Sequence, residues 1–229
     1  MILLALLLAT LGTADLVRPQ DRAATRPQLA RAVATGTAVL AFGGWGCGLS
    51  VWWVLLGAGL LAGWVISTPR DRTHPWPIVA LGGAALAILA GSAHAPVADG
   101  WLTSWYDSLR IAALDGVAFE RFALAAGCLV FLVESANIIV RMVLAGTDAG
   151  VMASEQTLKG GRVLGPIERI LIFSMALSGA YVALTAVVAA KGILRFPEIS
   201  RDVAGRKAEY VLVGSFVSWS IALVFVPLI

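Results

Sequence analysis

The feature that most constrains the fold is an apolar stretch from Val163 to Ile199, which carries charged residues near both ends. Glu168 and Arg169 stand near its start, and more than twenty uncharged residues follow them. The charges toward its far end are Lys191, Arg195 and Glu198. At about 1.5 Å rise per residue, such a helix crosses a bilayer core of about 30 Å. We therefore predict one continuous helix here that spans a membrane.

The composition extends this prediction to the whole chain. Hydrophobic residues make up 59% of the 229 residues and charged residues only 14%. Soluble domains are about 45–50% apolar and about 25% charged. Because helices satisfy their own backbone groups in lipid, we predict an all-α, polytopic transmembrane helical bundle, with residues 1–229 as a single integral membrane domain. A net charge of +3 makes no case for nucleic acid, and membrane lipids are the expected partners.

The apolar segments predict seven spans, with six as the alternative if the first segment only dips into the bilayer. The predicted spans cover residues 2–16, 32–46, 50–67, 78–93, 119–144, 167–190 and 210–229. Residues 94–117 differ, because apolar residues recur there at helical spacing on one face. These residues are Trp101, Leu102, Trp105, Leu109 and Ala112. They predict an interfacial amphipathic helix on the non-cytoplasmic surface.

Basic loops predict the orientation of the first half. The loop after the first span carries Arg18, Arg22, Arg26 and Arg31. Arg70 and Arg72 follow the third span. By the positive-inside rule both loops are cytoplasmic, which places the N-terminus outside. The loops on either side of the sixth span are both basic, so the rule leaves the sidedness of the C-terminal half open.

The fifth predicted span carries acidic and basic residues at a spacing of seven. Glu120, Gly127, Glu134 and Arg141 share this stripe, with Asn137 one turn beyond Glu134. Glu134 and Arg141 are separated by about 10 Å of helix rise, too far for a direct salt bridge. We therefore expect Glu134 to find a partner on another helix or to be protonated.

The central helix offers such a partner, because Ser174, Ser178, Tyr181 and Thr185 lie on one predicted face. We expect Ser178 and Tyr181 to lie at the depth of Glu134 and to face it. Glu134, Asn137, Ser178 and Tyr181 would then form a mid-membrane polar site. The alternative is that the hydroxyl residues only join helices together, as small polar residues often do in membranes.

Charged residues also gather at the helix ends. Lys191, Arg195, Glu198 and Glu209 converge at one predicted membrane surface. This collar either holds an anionic headgroup or ties two helix ends together. Glu168 and Arg169 form a second charged pair at the start of the central helix, where an arginine can also extend to lipid headgroups.

Residues that carry chemistry are sparse. His74 and His94 both fall in predicted loops, so we expect no His-based zinc site. Cys47 and Cys128 fall in apolar segments without metal-ligand spacing, which predicts small buried residues. The sequence contains no GxSxG, HExxH or Walker pattern. We therefore expect no metal and no cofactor, and the sequence does not argue for an enzyme.

Three stretches of the C-terminal half resemble a known pattern: GPIERILI, AAKGILRFPEI and AEYVLVGSFVSW. Over about residues 159–224 the chain resembles an uncharacterised bacterial family of polytopic membrane proteins, a domain of unknown function. The resemblance implies that the pattern residues are Glu168, Arg169, Lys191, Arg195, Glu209 and Tyr210. The family opens with an apolar, His-containing motif that ends in an acidic residue, whereas LLLATLGTADL keeps only the acidic Asp15. The resemblance implies a location in the bacterial cytoplasmic (inner) membrane, and it implies no particular activity.

Three functions remain open. The first is a small transporter or an ion- or proton-linked permeation protein that uses Glu134, Ser178 and Tyr181. The second is a lipid-binding protein or a scaffold subunit of a membrane complex, in which the collar holds a headgroup. The third is an intramembrane enzyme that acts on a lipid. Small residues on helix faces are also compatible with a homo-oligomer or a partner in a membrane complex.

Overall fold

The structure, a computed structural model, describes residues 1–19, 23–69, 74–91, 96–145, 159–200 and 206–229. The side chains of residues 159–163, 198–199 and 206–207 lie outside this description. The described residues form ten α-helices: α1 Ile2–Val17, α2 Arg26–Gly46, α3 Val51–Ser67, α4 Trp76–Ala90, α5 Trp101–Ser108, α6 Phe119–Val133, α7 Ser135–Leu144, α8 Lys159–Leu177, α9 Tyr181–Ser200 and α10 Arg206–Val224. Short 3-10 turns at Ala112–Leu114 and Val226–Leu228 complete them. No strand occurs in these ranges, so the prediction of an all-α fold is confirmed.

One described helix, Ala208–Leu228, is long and apolar enough to cross a membrane. The pair α6 and α7 meets the same standard only when both helices are counted as one broken span. Three apolar helices are shorter than this standard: Ile2–Val17, Val51–Ser67 and Trp76–Ala90. The seven-span bundle and the orientation of the N-terminus therefore stay predictions.

The chain divides into two compact units, each held together by contacts among its own residues. Unit 1 comprises Met1–Ser135 together with Ile229, and unit 2 comprises Ala136–Leu228. The expectation of a single integral domain over residues 1–229 stays a prediction.

The N-terminal helix α1 is the centre of unit 1, where it packs against α6 and α2 and also touches α3 and α4. Glycines bring α1 and α6 into backbone contact. A Cβ built on Gly12 would lie 2.7 Å from the backbone of Val130, and one built on Gly127 would lie 2.5 Å from the carbonyl oxygen of Ala5. Small residues allow such close approach of apolar helices. The first predicted span is therefore a core element of unit 1.

The prediction of one continuous helix from Val163 to Ile199 is wrong. Helix α8 ends at Leu177 and α9 begins at Tyr181. Gly179 between them has φ +73°, a left-handed conformation that costs glycine nothing. The amide of Ala180 donates to the carbonyl of Met175, and the amide of Gly179 donates to that of Ala176. These two bonds are the Schellman pattern that ends a helix.

The fifth predicted span is also interrupted. Helix α6 ends at Val133 and α7 begins at Ser135, with Glu134 at φ −124° and ψ −41° between them. Because the spacing of seven crosses this break, Glu120 and Arg141 do not share one continuous helical stripe.

Two further bounds differ from the sequence prediction. Helix α2 begins at Arg26 rather than at residue 32, because Thr25 and Gln28 form a capping box at its start. The predicted interfacial helix ends at Ser108, and Arg110 then adopts a positive φ of 44°. Leu109 and Ala112 therefore lie beyond the helix that was predicted to contain them.

Candidate functional site

The polar side chains of unit 2 gather beside its last helix. Ser218 lies at the midpoint of the apolar segment Ala208–Leu228. Trp219 follows it directly. Ser218 is buried and Trp219 is half-buried. The polar atoms of both side chains therefore lie inside the protein, level with the middle of this segment.

Glu168 on α8 accepts a hydrogen bond from the indole N–H of this tryptophan. Trp219 Nε1 donates to Glu168 Oε1 at 2.8 Å. Lys191 Nζ on α9 donates to the other carboxylate oxygen, Oε2, and forms a salt bridge with it. The same ammonium lies 5.3 Å from the centroid of the Trp219 ring, within cation–π range. One carboxylate thus joins three helices.

Arg169, the next residue on α8, makes a second set of contacts. It is 2% exposed, and its guanidinium donates from Nη1 to Ser218 Oγ at 3.3 Å and from Nη2 to Asn137 Oδ1 on α7. Together these residues form what we call the Glu168 cluster: Asn137, Glu168, Arg169, Lys191, Ser218 and Trp219. The cluster brings four helices of unit 2 to one point.

The break at Gly179 is what assembles the cluster. Glu168 and Lys191 are 23 residues apart, and in one continuous helix they would be separated by about 35 Å of rise. Because the chain turns at Gly179, α9 packs back against α8 and their side chains meet. The charges that were predicted for opposite ends of one helix therefore form a pair.

The predicted mid-membrane residues are only partly brought together. Asn137 belongs to the Glu168 cluster. Glu134 is half-buried at the break between α6 and α7. Ser178 lies in the turn after α8, where its hydroxyl donates to the carbonyl of Met175 at 3.1 Å. Ser178 and Tyr181 are both exposed, and they flank the helix break rather than share one helical face.

The predicted collar is regrouped. Lys191 pairs with Glu168, a residue that was predicted to lie at the other end of the helix. Arg195 is half-buried and Glu209 is exposed. The side chain of Glu198 lies outside the described residues. The described geometry therefore gathers Glu168, Arg169 and Lys191 in one cluster.

Unit 1 contains a second polar cluster, which the sequence did not predict. Asp15 near the end of α1 is fully buried. Its Oδ1 accepts from Arg18 Nη1 at 2.9 Å, and its Oδ2 accepts from Trp64 Nε1 at 2.9 Å and from Ser135 Oγ at 2.6 Å. Arg18 also donates to the hydroxyl of Thr68 at 3.0 Å and to its carbonyl at 2.6 Å. We call these five residues the Asp15 cluster.

The Asp15 cluster is sealed. Its members are Asp15, Arg18, Trp64, Thr68 and Ser135, and none is more than 7% exposed. A buried charge is tolerated when it is paired and hydrogen-bonded, and here both the carboxylate and the guanidinium have several partners. The available signal was the position of Asp15 inside an apolar run, but its partners Trp64 and Ser135 are about 50 and 120 residues away in sequence.

The cysteines are buried, as predicted from their apolar surroundings. Burial raises the pKa of the Cys47 thiol to about 11, and the nearby Glu120 carboxylate acts in the same direction. The thiol is therefore protonated near neutral pH and is a poor nucleophile.

Among the described residues, no group of three or more His, Cys, Asp or Glu side chains is placed to hold a metal ion.

Comparison of the chain with protein-family models, with curated proteins and with solved structures found no match, so its resemblance to a bacterial membrane protein family remains a prediction.

Proposed function

We propose that this chain is a multi-pass protein of a bacterial cytoplasmic membrane that conducts protons, with the Glu168–Lys191 pair as its charged site. The observation that carries the proposal is the hydrogen bond from Trp219 Nε1 to Glu168 Oε1. Trp219 is one residue from the midpoint of the helix best suited to span a membrane. If that helix spans, the ion pair lies near the centre of the bilayer.

The cost of such a pair supports a functional role. Taking a carboxylate and an ammonium out of water costs several kcal/mol per ion, and hydrophobic side chains of the same volume are often as stable. Charges within the membrane are therefore rare, and they commonly mark ion or proton pathways. The residues that we propose for transport are therefore Glu168, Lys191 and Arg169. They replace Glu134, Ser178 and Tyr181, which the sequence had suggested.

The pair can pass a proton without a net change in its own charge. A proton from one side adds to the Glu168 carboxylate, while the Lys191 ammonium releases a proton toward the other side. Transfer of the proton from the Glu168 carboxyl to the neutral Lys191 amine then restores the ion pair, and one proton has crossed. Both side chains are partly exposed, Lys191 by 21% and Glu168 by 11%.

The test is proton flux in vesicles that contain the purified protein and a pH-sensitive dye, driven by a potassium diffusion potential. We expect the wild-type protein to acidify the interior faster than protein-free vesicles, and Glu168→Gln to lose the protein-dependent flux. Asp115→Asn is the matched control, because it makes the same change at an exposed carboxylate of unit 1. Equal flux through Glu168→Gln and wild type, or wild-type flux no faster than that of empty vesicles, would overturn the proposal.

Lipid binding is the second candidate, and a cavity in unit 1 favours it. The cavity has a volume of about 320 Å³, lies between α1, α3 and α4, and is lined almost entirely by apolar side chains. Pockets of about 300–1,000 Å³ that are lined mainly by apolar side chains are typical ligand sites. Ala84 lines the cavity, whereas Val79 on the same helix is exposed outside it. Mass spectrometry should find a co-purified lipid that Ala84→Trp loses and Val79→Trp keeps.

A further inference from the structure

Unit 1 carries an exposed group of aromatic rings at the turn between α2 and α3. Phe42 and Trp45 near the end of α2 both contact Trp101, the first residue of α5, with ring centroids 5.4 Å and 6.0 Å apart. Trp105 follows Trp101 by four residues, so it lies on the same face of α5. These four rings, which we call the aromatic patch, are between 42% and 72% exposed. The sequence predicted an interfacial helix that contains Trp101 and Trp105, and the structure places Phe42 and Trp45 of α2 beside it.

Backbone contacts hold the start of α5 against the turn between α2 and α3. The amide of Asp99 donates to the carbonyl of Cys47 at 3.1 Å. A Cβ built on Gly100 would lie 2.0 Å from the carbonyl oxygen of Gly46, so the start of α5 touches the turn backbone to backbone. The start of α5 is therefore docked on the turn between α2 and α3, which fixes the direction of its two tryptophans.

The opposite face of α5 is anchored in unit 1. Tyr106 is 6% exposed, and its hydroxyl donates to the carbonyl of Val117 at 2.9 Å. Its ring packs against Phe119 and Phe122 at the start of α6, with centroids 5.6 Å and 5.1 Å away. These contacts on the opposite face of α5 therefore hold Trp101 and Trp105 in place.

The charges beside the patch narrow the choice of partner. Asp99, Asp107 and Asp115 are exposed near α5, and Arg110 is the single basic residue among residues 96–118. This acidic border repels an anionic surface, whereas tryptophan rings are suited to the boundary between headgroups and acyl chains. The combination fits a zwitterionic lipid interface and does not fit an anionic one.

We propose that the aromatic patch inserts into the headgroup–acyl boundary of the bilayer and anchors unit 1 at a fixed depth, without selecting anionic lipid. The tryptophan rings contribute apolar area, and their indole N–H groups donate to lipid carbonyl oxygens. The inference rests on the proposed membrane location, but it uses residues of unit 1 alone and does not depend on the proton pathway proposed for unit 2.

The experiment measures the depth of individual tryptophans. Protein labelled with fluorotryptophan is placed in nanodiscs, and the fluorine signals of Trp45 and Trp101 are assigned with Trp45→Phe and Trp101→Phe. A nitroxide on the acyl chain is placed near the glycerol end or near the methyl end, and a gadolinium chelate probes the water phase. Trp64 is the internal control, because it is 5% exposed and donates to Asp15.

We expect the glycerol-end nitroxide to broaden Trp45 and Trp101 several-fold more than Trp64, and more than the methyl-end nitroxide does. The pattern should be the same in phosphatidylcholine discs with and without phosphatidylglycerol. Stronger broadening by the gadolinium chelate would place the patch in water, as for a protein-binding surface, and would overturn the proposal. Stronger broadening by the methyl-end nitroxide, or broadening that requires phosphatidylglycerol, would also overturn it.

Discussion

The two polar clusters use the same chemical parts in different ways. In each, one carboxylate pairs with a cation and accepts from a tryptophan N–H, at 2.9 Å from Trp64 to Asp15 and at 2.8 Å from Trp219 to Glu168. In the Asp15 cluster no member is more than 7% exposed, whereas Lys191 in the Glu168 cluster is 21% exposed. The two clusters therefore differ in how far their charged side chains are exposed.

Access separates a structural role from a functional one. A sealed and fully bonded ion pair holds its helices together, which in unit 1 are α1, α3 and the start of α7. A partly exposed pair can exchange protons with its surroundings. We therefore expect substitutions in the Asp15 cluster to change mainly stability, and substitutions in the Glu168 cluster to change mainly proton flux.

The largest expected effect is that of Asp15→Ala. It leaves the guanidinium of Arg18 buried without its carboxylate, and breaking a buried pair costs about 3–5 kcal/mol. Denaturant unfolding in detergent should show this loss, whereas Asp107→Ala, at an exposed carboxylate, should change stability by less than about 0.5 kcal/mol. Similar unfolding curves for both variants would show that the Asp15 cluster does not hold unit 1 together.

Glu168→Gln should have a smaller effect on stability and a larger one on flux. The glutamine oxygen still accepts from Trp219, but the attraction to Lys191 is lost, and hydrogen bonds to charged groups contribute about 1.5–3 kcal/mol. The double variant Glu168→Gln, Lys191→Met removes the unpaired ammonium and should recover part of that stability without recovering flux. Additive losses of stability in this double-mutant cycle would contradict a coupled pair.

Gly179→Ala tests the turn that brings the Glu168 cluster together. Alanine at φ +73° costs about 1–2 kcal/mol. Gly192→Ala on α9 is the control, because a Cβ there meets no atom within 4 Å. We expect Gly179→Ala to lower both the unfolding midpoint and the proton flux, and Gly192→Ala to lower neither. Unchanged flux in Gly179→Ala would mean that the cluster does not depend on this turn.

The smallest expected effect is that of replacing the tryptophan of each cluster with phenylalanine. Trp→Phe removes the N–H donor and keeps a ring, and a hydrogen bond contributes about 0.5–1.5 kcal/mol. Trp64→Phe should cost more stability than Trp219→Phe, because Trp64 is buried and Trp219 is half-buried. Only Trp219→Phe should shift the pH dependence of proton flux. Equal stability losses together with equal pH profiles would remove the distinction between the clusters.

Much of the secondary structure was predictable from local pattern. The apolar segments at residues 2–16 and 50–67 correspond closely to α1 and α3, because an apolar run between breaks is a local signal. The glycine of the α8–α9 turn was visible as well, but glycine is also common inside transmembrane helices. The same residue is therefore compatible with a continuous helix and with a break.

The partners of the charged residues were not predictable in the same way. Asp15 was visible as an acid in an apolar run, but Trp64 and Ser135 resemble ordinary residues of apolar helices until packing brings them to it. Spacing along one helix does not report which residues of another helix are near. For that reason the predicted face of Ser178 and Tyr181 was lost at the break between α8 and α9.

The sequence by itself determined the helical class, the apolar character that predicts a membrane location, and which ionisable residues lie among apolar ones. These properties depend on composition and on local periodicity. Only the tertiary structure decided that Glu168 and Lys191, 23 residues apart, share a salt bridge. The physical reason is that one left-handed glycine reverses the chain, so that charges about 35 Å apart along a straight helix come into contact.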